Sequence, residues 1–311
     1  MSRSTELQLA EEILELKKKR GAVILAHYYQ IPPIQDVADH VGDSLALAMK
    51  ATELDADVIV VAGVQFMAET AKVLNPRKRV LIPYAGAGCT LADDCPADEF
   101  EAFVRQHPGH AVVTYVNSSL GVKALSDVTC TSANAVKVVS TFDEKTPIVF
   151  APDRNLGAYV AMKSGRDIVT WNAVCEVHNA YSLERVSELL EEHPGAKLAA
   201  HPECPMDVLK IADFVGSTSG ILNYVVDSKD KEFVVATEPG VLYQIGKRAP
   251  GKRLFPVLTG EPPRGECRFM KLATLEHVRN CLRDMAPEVQ VDEDLARRAA
   301  APIRRMMEIG R

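Results

Sequence analysis

The stretch Ala212–Gly220, ADFVGSTSG, indicates a repeated fold because related segments occur twice earlier in the chain. The earlier segments are Asp39–Ser44, DHVGDS, and Asp127–Ser132, DVTCTS, and the three recur at nearly equal intervals. Each combines aspartate with hydroxyl residues and leads into small or apolar residues, which is typical of a loop before a capped helix. The hydroxyl residues that align are Ser44, Ser132 and Thr218. We expect each of them to open a helix.

Apolar runs flank these segments in the same order in all three copies. The runs that precede the segments are Ala22–His27, Ala111–Val116 and Ala196–His201, and those that follow are Val58–Ala62, Pro147–Ala151 and Glu232–Ala236. Each copy closes with one more strand and one cysteine. We call these the repeat-terminal cysteines: Cys89, Cys175 and Cys267. Continuous apolar runs are typical of parallel strands covered on both faces, so each copy predicts a strand–helix–strand–helix–strand arrangement.

A repeat of this length predicts three small α/β domains, because the repeats of solenoid proteins are far shorter. Tight turns at His107–Gly109 and His193–Gly195 mark the boundaries. The expected domains cover residues 1–108, 109–193 and 194–282. Residues 283–311 are expected to form C-terminal helices that pack on the first domain, with Pro302 interrupting the last of them.

Composition and charge restrict the class of protein. The 311 residues carry a formal net charge of −6, which argues against a general nucleic-acid-binding surface. The N-terminus lacks the pattern of a signal peptide, and no apolar stretch approaches the ~18 residues of a membrane span. We therefore expect a cytoplasmic protein that binds neither membrane nor nucleic acid. Its 7 cysteines are odd in number and widely spread, which favours metal binding or catalysis over a disulfide framework.

Unusual polar residues stand at the carboxyl ends of the predicted strands, where ligands bind in open α/β sheets. These residues are His27, Tyr29, Tyr115, Asn117, His201 and Glu203. The predicted helix starts add free N–H groups and partial positive charge, which suit carboxylate or phosphate. If the domains pack around a pseudo-threefold axis, the helix starts converge, and the expected ligand is a small polyanionic substrate.

The same packing brings the repeat-terminal cysteines together, where three thiolates would hold a metal with one open position. Many cysteines are simply small buried hydrophobic residues. That description suits Cys130, Cys204 and Cys281, but not a set that falls at one place in every repeat. Zinc with three thiolates and a water fits this spacing, and so does a [4Fe–4S] cluster with one open iron. All-sulfur ligation favours the cluster, whose open iron would act as a Lewis acid.

Several of these residues also have a structural alternative. His27 and His201 match each other at the ends of equivalent strands, which favours a shared function over two structural histidines. Tyr29 suits the site and a hydrogen-bonded place in the core equally well. Glu203 stands two residues after His201, which suits acid–base chemistry as well as a solvated turn. The aspartates expected to brace loops or cap helices are Asp39, Asp127 and Asp213.

Longer motifs in the chain match those of a known family. They are AHYYQ at Ala26–Gln30, VGDSL at Val41–Leu45, YVNS at Tyr115–Ser118, TCTSAN at Thr129–Asn134, PDRNLG at Pro152–Gly157, WNAVCEVH at Trp171–His178, HPEC at His201–Cys204 and GSTSG at Gly216–Gly220. Together they make the chain resemble the quinolinate synthase family over nearly its whole length. The resemblance implies an α/β fold of three Rossmann-like α/β/α domains, related by a pseudo-threefold axis, around a central active site.

The resemblance also implies an oxygen-sensitive [4Fe–4S] cluster on Cys89, Cys175 and Cys267. The family reaction condenses iminoaspartate with dihydroxyacetone phosphate and gives quinolinate, phosphate and water. The resemblance further implies a transient contact with the oxidase that produces iminoaspartate. Some members carry Cys-x-x-Cys-x-x-Cys near the third ligand, whereas Cys267 stands alone here.

Roles for individual residues follow from the resemblance together with position. The residues expected to bind substrate are His27, Ser44, Tyr115, Asn117, Ser132, His201, Glu203 and Thr218. The residues expected to act in catalysis are Tyr29, Tyr115, His201 and Glu203, with His178 bracing the cluster or a carboxylate. Two other classes compete with this hypothesis. One is an iron–sulfur hydro-lyase acting on a small di- or tricarboxylate; the other is a non-catalytic metal or redox sensor, for which the acidic, evenly α/β sequence offers no DNA- or protein-binding module.

Overall fold

The computed structural model describes residues 3–259 and 265–310, and it shows an α/β protein built on three parallel sheets. Each sheet has four strands, and helices pack against it. We call each sheet, with the helices that lie beside its strands in the sequence, a unit, numbered in chain order. Residues 1–2, 260–264 and 311, which the predicted domain limits include, lie outside the described part of the chain.

The first unit alternates strands with helices after a long N-terminal helix. Its elements are α1 (Arg3–Arg20), β1 (Ala22–His27), α2 (Pro32–Val37), β2 (His40–Gly42), α3 (Ser44–Glu53), β3 (Val58–Ala62), α4 (Gln65–Leu74), β4 (Arg79–Leu81), α5 (Thr90–Asp93) and α6 (Ala97–Arg105). The strand order is β2-β1-β3-β4, and every pairing is parallel. Every residue of β3 is buried, as expected for a central parallel strand.

The second unit repeats this arrangement with shorter helices. Its elements are β5 (Ala111–Tyr115), α7 (Leu120–Ala124), β6 (Val128–Cys130), α8 (Ala135–Val139), β7 (Ile148–Ala151), α9 (Arg154–Ser164), β8 (Ile168–Thr170), a 3-10 turn (His178–Ala180) and α10 (Leu183–Glu192). The strand order is β6-β5-β7-β8, again parallel throughout. Ser182 caps α10, because its side chain accepts a hydrogen bond from the backbone N–H of Arg185.

The third unit has the same topology and is followed by two further helices. The elements are β9 (Lys197–Ala200), α11 (Met206–Ile211), β10 (Phe214–Val215), α12 (Thr218–Asp227), β11 (Glu232–Ala236), α13 (Val241–Arg248), β12 (Arg253–Pro256), α14 (Leu275–Asp284) and α15 (Glu293–Gly310). The strand order β10-β9-β11-β12 is equivalent to that of the other two sheets. The three equivalent sheets confirm the prediction of an α/β protein with three Rossmann-like units.

One aspartate in each unit braces the turn between the first two strands. Asp39, Asp127 and Asp213 each accept a backbone hydrogen bond at 2.8 Å from an early residue of the unit's first strand. The donors, in the same order, are Ile24, Val112 and Leu198. These contacts confirm the predicted role of the aspartates as loop braces, and they show that the repeat extends to individual hydrogen bonds.

The three units share one apolar core. Ile59, Phe150 and Phe233, one from the central part of each sheet, belong to the same buried cluster. Burial of apolar surface is the main favourable contribution to folding. Because this surface is common to all the units, the strand ends of one unit are held in fixed positions relative to those of the others.

The C-terminal helices differ in part from the expectation. α14 packs on α1 and α2 of the first unit, whereas α15 contacts α3 and α4 of the first unit and also α7, β6 and α8 of the second. Pro302 does not interrupt α15, which continues from Glu293 to Gly310. A proline inside a helix costs about 3 kcal/mol or more, and burial of Ile303, Met306 and Met307 against two units offsets that cost. The domain limits at residues 108 and 193 stay a proposal.

Candidate active site

Every residue that the sequence predicted for the site lines one central cavity. The cavity contacts His27, Tyr29, Ser44, Cys89, Tyr115, Asn117, Ser132, Cys175, His201, Glu203, Thr218 and Cys267. These residues come from all three units and lie where the parallel strands end. The repeat predicted that the carboxyl ends of the strands converge, and the shared core brings those of the three sheets to one cavity.

His27, the last residue of β1, is held as a neutral imidazole. Its Nδ1 accepts the backbone N–H of Tyr29 at 3.1 Å, which leaves Nε2 as the N–H donor of a ring that lines the cavity. Burial lowers the pKa of His27 to about 4, although Asp43 opposes the shift. At neutral pH the side chain is therefore an uncharged hydrogen-bond donor.

Glu203 occupies the centre of the site. Its Oε2 lies 2.8 Å from His178 Nδ1 and 3.1 Å from His201 Nδ1, and all three side chains are almost fully buried. Burial by itself raises the pKa of Glu203, but the two imidazoles outweigh burial and bring the pKa below its ordinary value. Burial, followed by the neighbouring His178, lowers the pKa of His201. The carboxylate is therefore ionised and accepts an N–H from each of two imidazole rings.

A hydroxyl group completes each end of this arrangement. Ser132 Oγ lies 3.1 Å from His201 Nε2, which gives a serine–histidine–glutamate sequence of hydrogen bonds. At the other end, Thr237 Oγ1 lies 3.0 Å from His178 Nε2 and 3.0 Å from the Tyr29 hydroxyl. A continuous chain of hydrogen-bonding groups thus connects the phenol of Tyr29 with the hydroxyl of Ser132.

Tyr29 is fixed from several directions. Its hydroxyl also lies 2.8 Å from Thr218 Oγ1. The backbone behind it packs so closely on Gly240 that a Cβ there would lie 2.8 Å from Tyr29 Cα, which only glycine avoids. Burial raises the pKa of Tyr29 and also that of Tyr115. Both phenols are therefore protonated at neutral pH and can donate.

The helix starts are only partly as predicted. Ser44 and Thr218 are the first residues of α3 and α12, and the capping side chains are those of Asp43 and Ser217. Ser132 does not open a helix, because α8 begins at Ala135 after Asn134. The hydroxyl of Ser132 faces His201 instead. Of the three helix starts predicted at the Ser/Thr positions, two therefore contribute residues to the cavity wall, namely those of α3 and α12.

The repeat-terminal cysteines are free thiols that line the cavity. Burial raises the pKa of Cys89 to about 12 and that of Cys267 to about 11, and it raises the pKa of Cys175 as well. A bare thiolate is therefore unfavourable at this place, and a bound cation is what makes the charged form stable. The other thiols, Cys95, Cys130, Cys204 and Cys281, are buried outside the cavity wall.

Unpartnered polar atoms indicate where a ligand belongs. Within residues 3–259 and 265–310, Asn117 Oδ1 and Glu203 Oε1 are buried oxygens without a hydrogen-bond partner, and both residues line the cavity. Such groups cost free energy unless a ligand or water meets them. The Cys175, His178 and Glu203 ligand atoms also lie within 4.8 Å of one another, an arrangement that can bind a metal ion. Sulfur donors and orphaned oxygens in one buried cavity fit a metal centre with a polar substrate beside it.

Sequence reasoning missed residues that support the site from behind. Thr237, Glu238, Asp153 and Lys271 had no assigned role, although each bonds to a residue of the cavity wall. Asp153 and Glu238 share a position that the repeat could have revealed, because each lies two residues after the third strand of its unit.

Within the described residues, no helix is long and apolar enough to cross a membrane.

The fold and the cavity are those of an α/β enzyme whose buried site combines cysteine thiols able to bind a metal with histidine and glutamate side chains. The family model described as "Quinolinate synthetase A protein" matches residues 11–308. The chain belongs to this family. It is 51% identical over 298 residues to the quinolinate synthase of Microcystis aeruginosa, an alignment that covers 96% of this chain and 93% of the relative. It is 51% identical over 307 residues to that of Chlorobaculum parvum, covering 98% of this chain and 95% of the relative.

Proposed function

We propose that the chain condenses iminoaspartate with dihydroxyacetone phosphate to quinolinate, with release of phosphate and water, and that it carries a [4Fe–4S] cluster on Cys89, Cys175 and Cys267. The atoms of the two substrates account for all the products when two molecules of water are released per quinolinate, so the reaction needs no oxidant or reductant. Family membership supports the reaction. The observation that carries the proposal is the hydrogen-bonded chain from Tyr29 to Ser132 beside three thiols, one from each unit, in one cavity.

The cysteines suit an iron–sulfur cluster better than a lone ion. Each stands after the strands of its own unit and lines the same cavity, so all three thiolates would be available to hold one centre. All-sulfur ligation is the usual environment of iron–sulfur clusters. When bound, such a cluster with an open iron supplies Lewis acidity toward a hydroxyl or carboxylate oxygen.

Substrate anions bind, in this proposal, to groups that donate hydrogen bonds. Ser44 and Thr218 bring their hydroxyls and the N-termini of α3 and α12, whose partial positive charge favours carboxylate or phosphate. His27 donates from Nε2 and Tyr115 from its protonated phenol. Asn117 Oδ1, which lacks a partner among the described residues, accepts the imine or amine hydrogen of the nitrogen-containing substrate.

Proton transfers run through the histidine–glutamate centre. Neutral His201 takes a proton at Nε2 from a substrate carbon or hydroxyl positioned by Ser132, and the Glu203 carboxylate stabilises the imidazolium. The Tyr29 phenol gives its proton to a leaving oxygen, and Thr237 and His178 connect it back to the same carboxylate. One carboxylate thereby serves the acid and the base sides of condensation and dehydration.

An anaerobic assay of purified protein tests the proposal. Quinolinate is expected only when iminoaspartate and dihydroxyacetone phosphate are both supplied, and phosphate should appear in equal amount. Dehydration of a small di- or tricarboxylate without the triose phosphate would contradict it and favour an iron–sulfur hydro-lyase. Brown protein with bound iron is expected after anaerobic purification, whereas colourless protein with zinc would refute the cluster. The cytoplasmic location and the contact with the iminoaspartate-producing oxidase stay predictions.

A further inference from the structure

The second residue after β3, β7 and β11 occupies an equivalent position in the three units. The residues at this position are Val64, Asp153 and Glu238, and only the two carboxylates hydrogen-bond to the backbone of the repeat-terminal cysteine. Neither carboxylate touches the Tyr29-to-Ser132 chain through a hydrogen bond that the structure gives, so the proposed chemistry assigns them no task.

Asp153 connects α9 with the cysteine of the second unit. It is fully buried, and its Oδ1 accepts the backbone N–H of Leu156 at 2.7 Å as the cap of α9. Its Oδ2 accepts the backbone N–H of Cys175 at 3.0 Å. The next residue, Arg154, donates its backbone N–H to Ala173 O at 2.9 Å. The Cys175 segment is thus attached by one backbone bond and one carboxylate bond.

Glu238 has the equivalent place in the third unit, but it acts without the backbone bond. Its Oε1 accepts the backbone N–H of Cys267 at 3.4 Å, and its Oε2 accepts that of Gly240 at 2.7 Å. Pro239 stands where the second unit has Arg154, and proline has no N–H to donate. The carboxylate is therefore the only one of the two attachments that the third unit can form.

A partly buried lysine connects the same carboxylate to the loop that carries Tyr29. Lys271 Nζ lies 2.7 Å from Glu238 Oε1 and donates to the backbone carbonyl of Tyr29 at 2.6 Å. Glu238 is fully buried, so its charge is costly without this partner, which favours the observed geometry. The segment that carries Cys267 and the loop that carries Tyr29 thus meet at one ion pair.

In the first unit, the Cys89 segment is attached to the end of β3 by a backbone hydrogen bond and not by a carboxylate. Val64 stands at the shared position, and Gln65 N donates to Ala87 O at 2.7 Å, two residues before Cys89. This bond is the counterpart of the one between Arg154 and Ala173. The three cysteine segments therefore differ in attachment. Cys89 has the backbone bond, and Cys175 has the backbone bond and a carboxylate. Cys267 has a carboxylate, and the carbonyl two residues before it, Gly265 O, accepts the Tyr181 hydroxyl at 3.3 Å in place of a backbone N–H.

We propose that Asp153 and Glu238 are positioning residues that fix the backbones of Cys175 and Cys267 for the metal centre, with Glu238 also coupling that centre to Tyr29 through Lys271. The proposal rests on the cluster assigned above. An amide in place of either carboxylate has one acceptor oxygen where two are needed, and its NH₂ group faces another donor. Loss of the carboxylate should matter most at Cys267, because Pro239 offers no backbone N–H to Gly265 O and the link through Lys271 to Tyr29 is lost as well.

Hydrogen exchange of the anaerobically purified holoprotein, read by mass spectrometry, tests this locally. In Glu238→Gln the segment 265–271 should exchange about tenfold faster, while 85–91 and 171–177 keep wild-type rates. In Asp153→Asn the acceleration should be smaller and confined to 171–177. Iron release to a chelator should follow the same order, faster in Glu238→Gln than in Asp153→Asn. If Glu238→Gln does not fold, Asp153→Asn tests the same relationship at Cys175.

A matched control is Glu188→Gln, which removes an exposed carboxylate that pairs with Arg185 at 2.8 Å within α10, outside all three cysteine segments. It should leave exchange and iron release unchanged. Wild-type exchange in both buried variants, or equal acceleration of all three segments, would overturn the proposal. If the wild-type protein contains no iron, the proposed cluster is refuted. The exchange pattern still tests whether Asp153 and Glu238 fix the backbones of Cys175 and Cys267.

Discussion

Glu203 and His178 form a buried pair in which the carboxylate Oε2 lies 2.8 Å from the imidazole Nδ1. The His201 ring stacks on that of His178 with centroids 4.4 Å apart and reaches the same oxygen. One carboxylate oxygen thus orients two imidazoles, of which His201 reaches Ser132 and His178 reaches Thr237 through Nε2. The second oxygen, Oε1, is left without a partner among the described residues and is available to substrate.

Replacement of Glu203 with Gln should abolish turnover while the metal centre stays bound. The amide keeps the shape of the side chain but cannot stabilise an imidazolium at His201, and general acid–base groups contribute about 10²- to 10⁴-fold to rates. Steady-state kinetics and iron content measure the two effects separately. Glu188→Gln, which alters an exposed surface ion pair, is the control and should behave as wild type. Turnover near the wild-type rate in Glu203→Gln would remove this carboxylate from the mechanism.

Replacement of Tyr29 with Phe should lower kcat by about 10² or more and change KM little. The ring stays packed edge-on against His27, with centroids 4.4 Å apart, so only the proton donor is lost. Tyr28→Phe is the matched control, because Tyr28 is a neighbouring buried tyrosine outside the cavity wall. Equal losses in the two variants would show that packing, rather than proton donation, explains the effect.

Lys123 should make stability depend on pH in the alkaline range. This fully buried side chain donates to Ser118 O at 2.7 Å, and burial lowers its pKa from 10.5 to about 8, although Glu69 and Cys89 oppose the shift. Between those two values the unfolded chain binds more protons than the folded one. The contribution of Lys123 to the free energy of unfolding therefore rises with pH, by about 1.5 kcal/mol from pH 8 to pH 9.5.

Denaturant titrations of wild type and Lys123→Met at these two pH values isolate that contribution. Thiols also titrate in this range, but they do so equally in both proteins, so the difference between the proteins reports on Lys123. The variant should lack the rise. An identical pH dependence in the two proteins would show that the lysine keeps its ordinary pKa in the folded state.

Much of the fold and the site follows from the repeat, because the same local chemistry recurs in each third of the chain. Alignment of the copies located the strand ends, the aspartate braces and the repeat-terminal cysteines. The same alignment was wrong about Ser132, since Asn134 accepts the backbone N–H of Thr131 at 2.8 Å and the helix starts only after it. Equivalent positions need not keep equivalent local structure.

The contacts of the supporting residues could not be predicted in the same way. The repeat places Asp153 and Glu238 at one shared position, but it does not indicate the cysteine backbones that they contact, which are distant in sequence. Thr237 and His178 contribute through one hydrogen bond between separate units. Contacts of this kind depend on how the units pack together, which hydrophobic periodicity within one unit does not encode.

The measurement that tests the account most directly is the iron and sulfide content of anaerobically purified protein and of its single cysteine variants. Wild type should hold about four irons and four sulfides per chain, the composition of a [4Fe–4S] cluster. Cys89→Ser, Cys175→Ser and Cys267→Ser should each lose most of the iron, whereas Cys281→Ser, altered in a buried apolar cluster, should keep it. Full iron content in any one of the first three variants would contradict a single centre held by one thiolate from each unit.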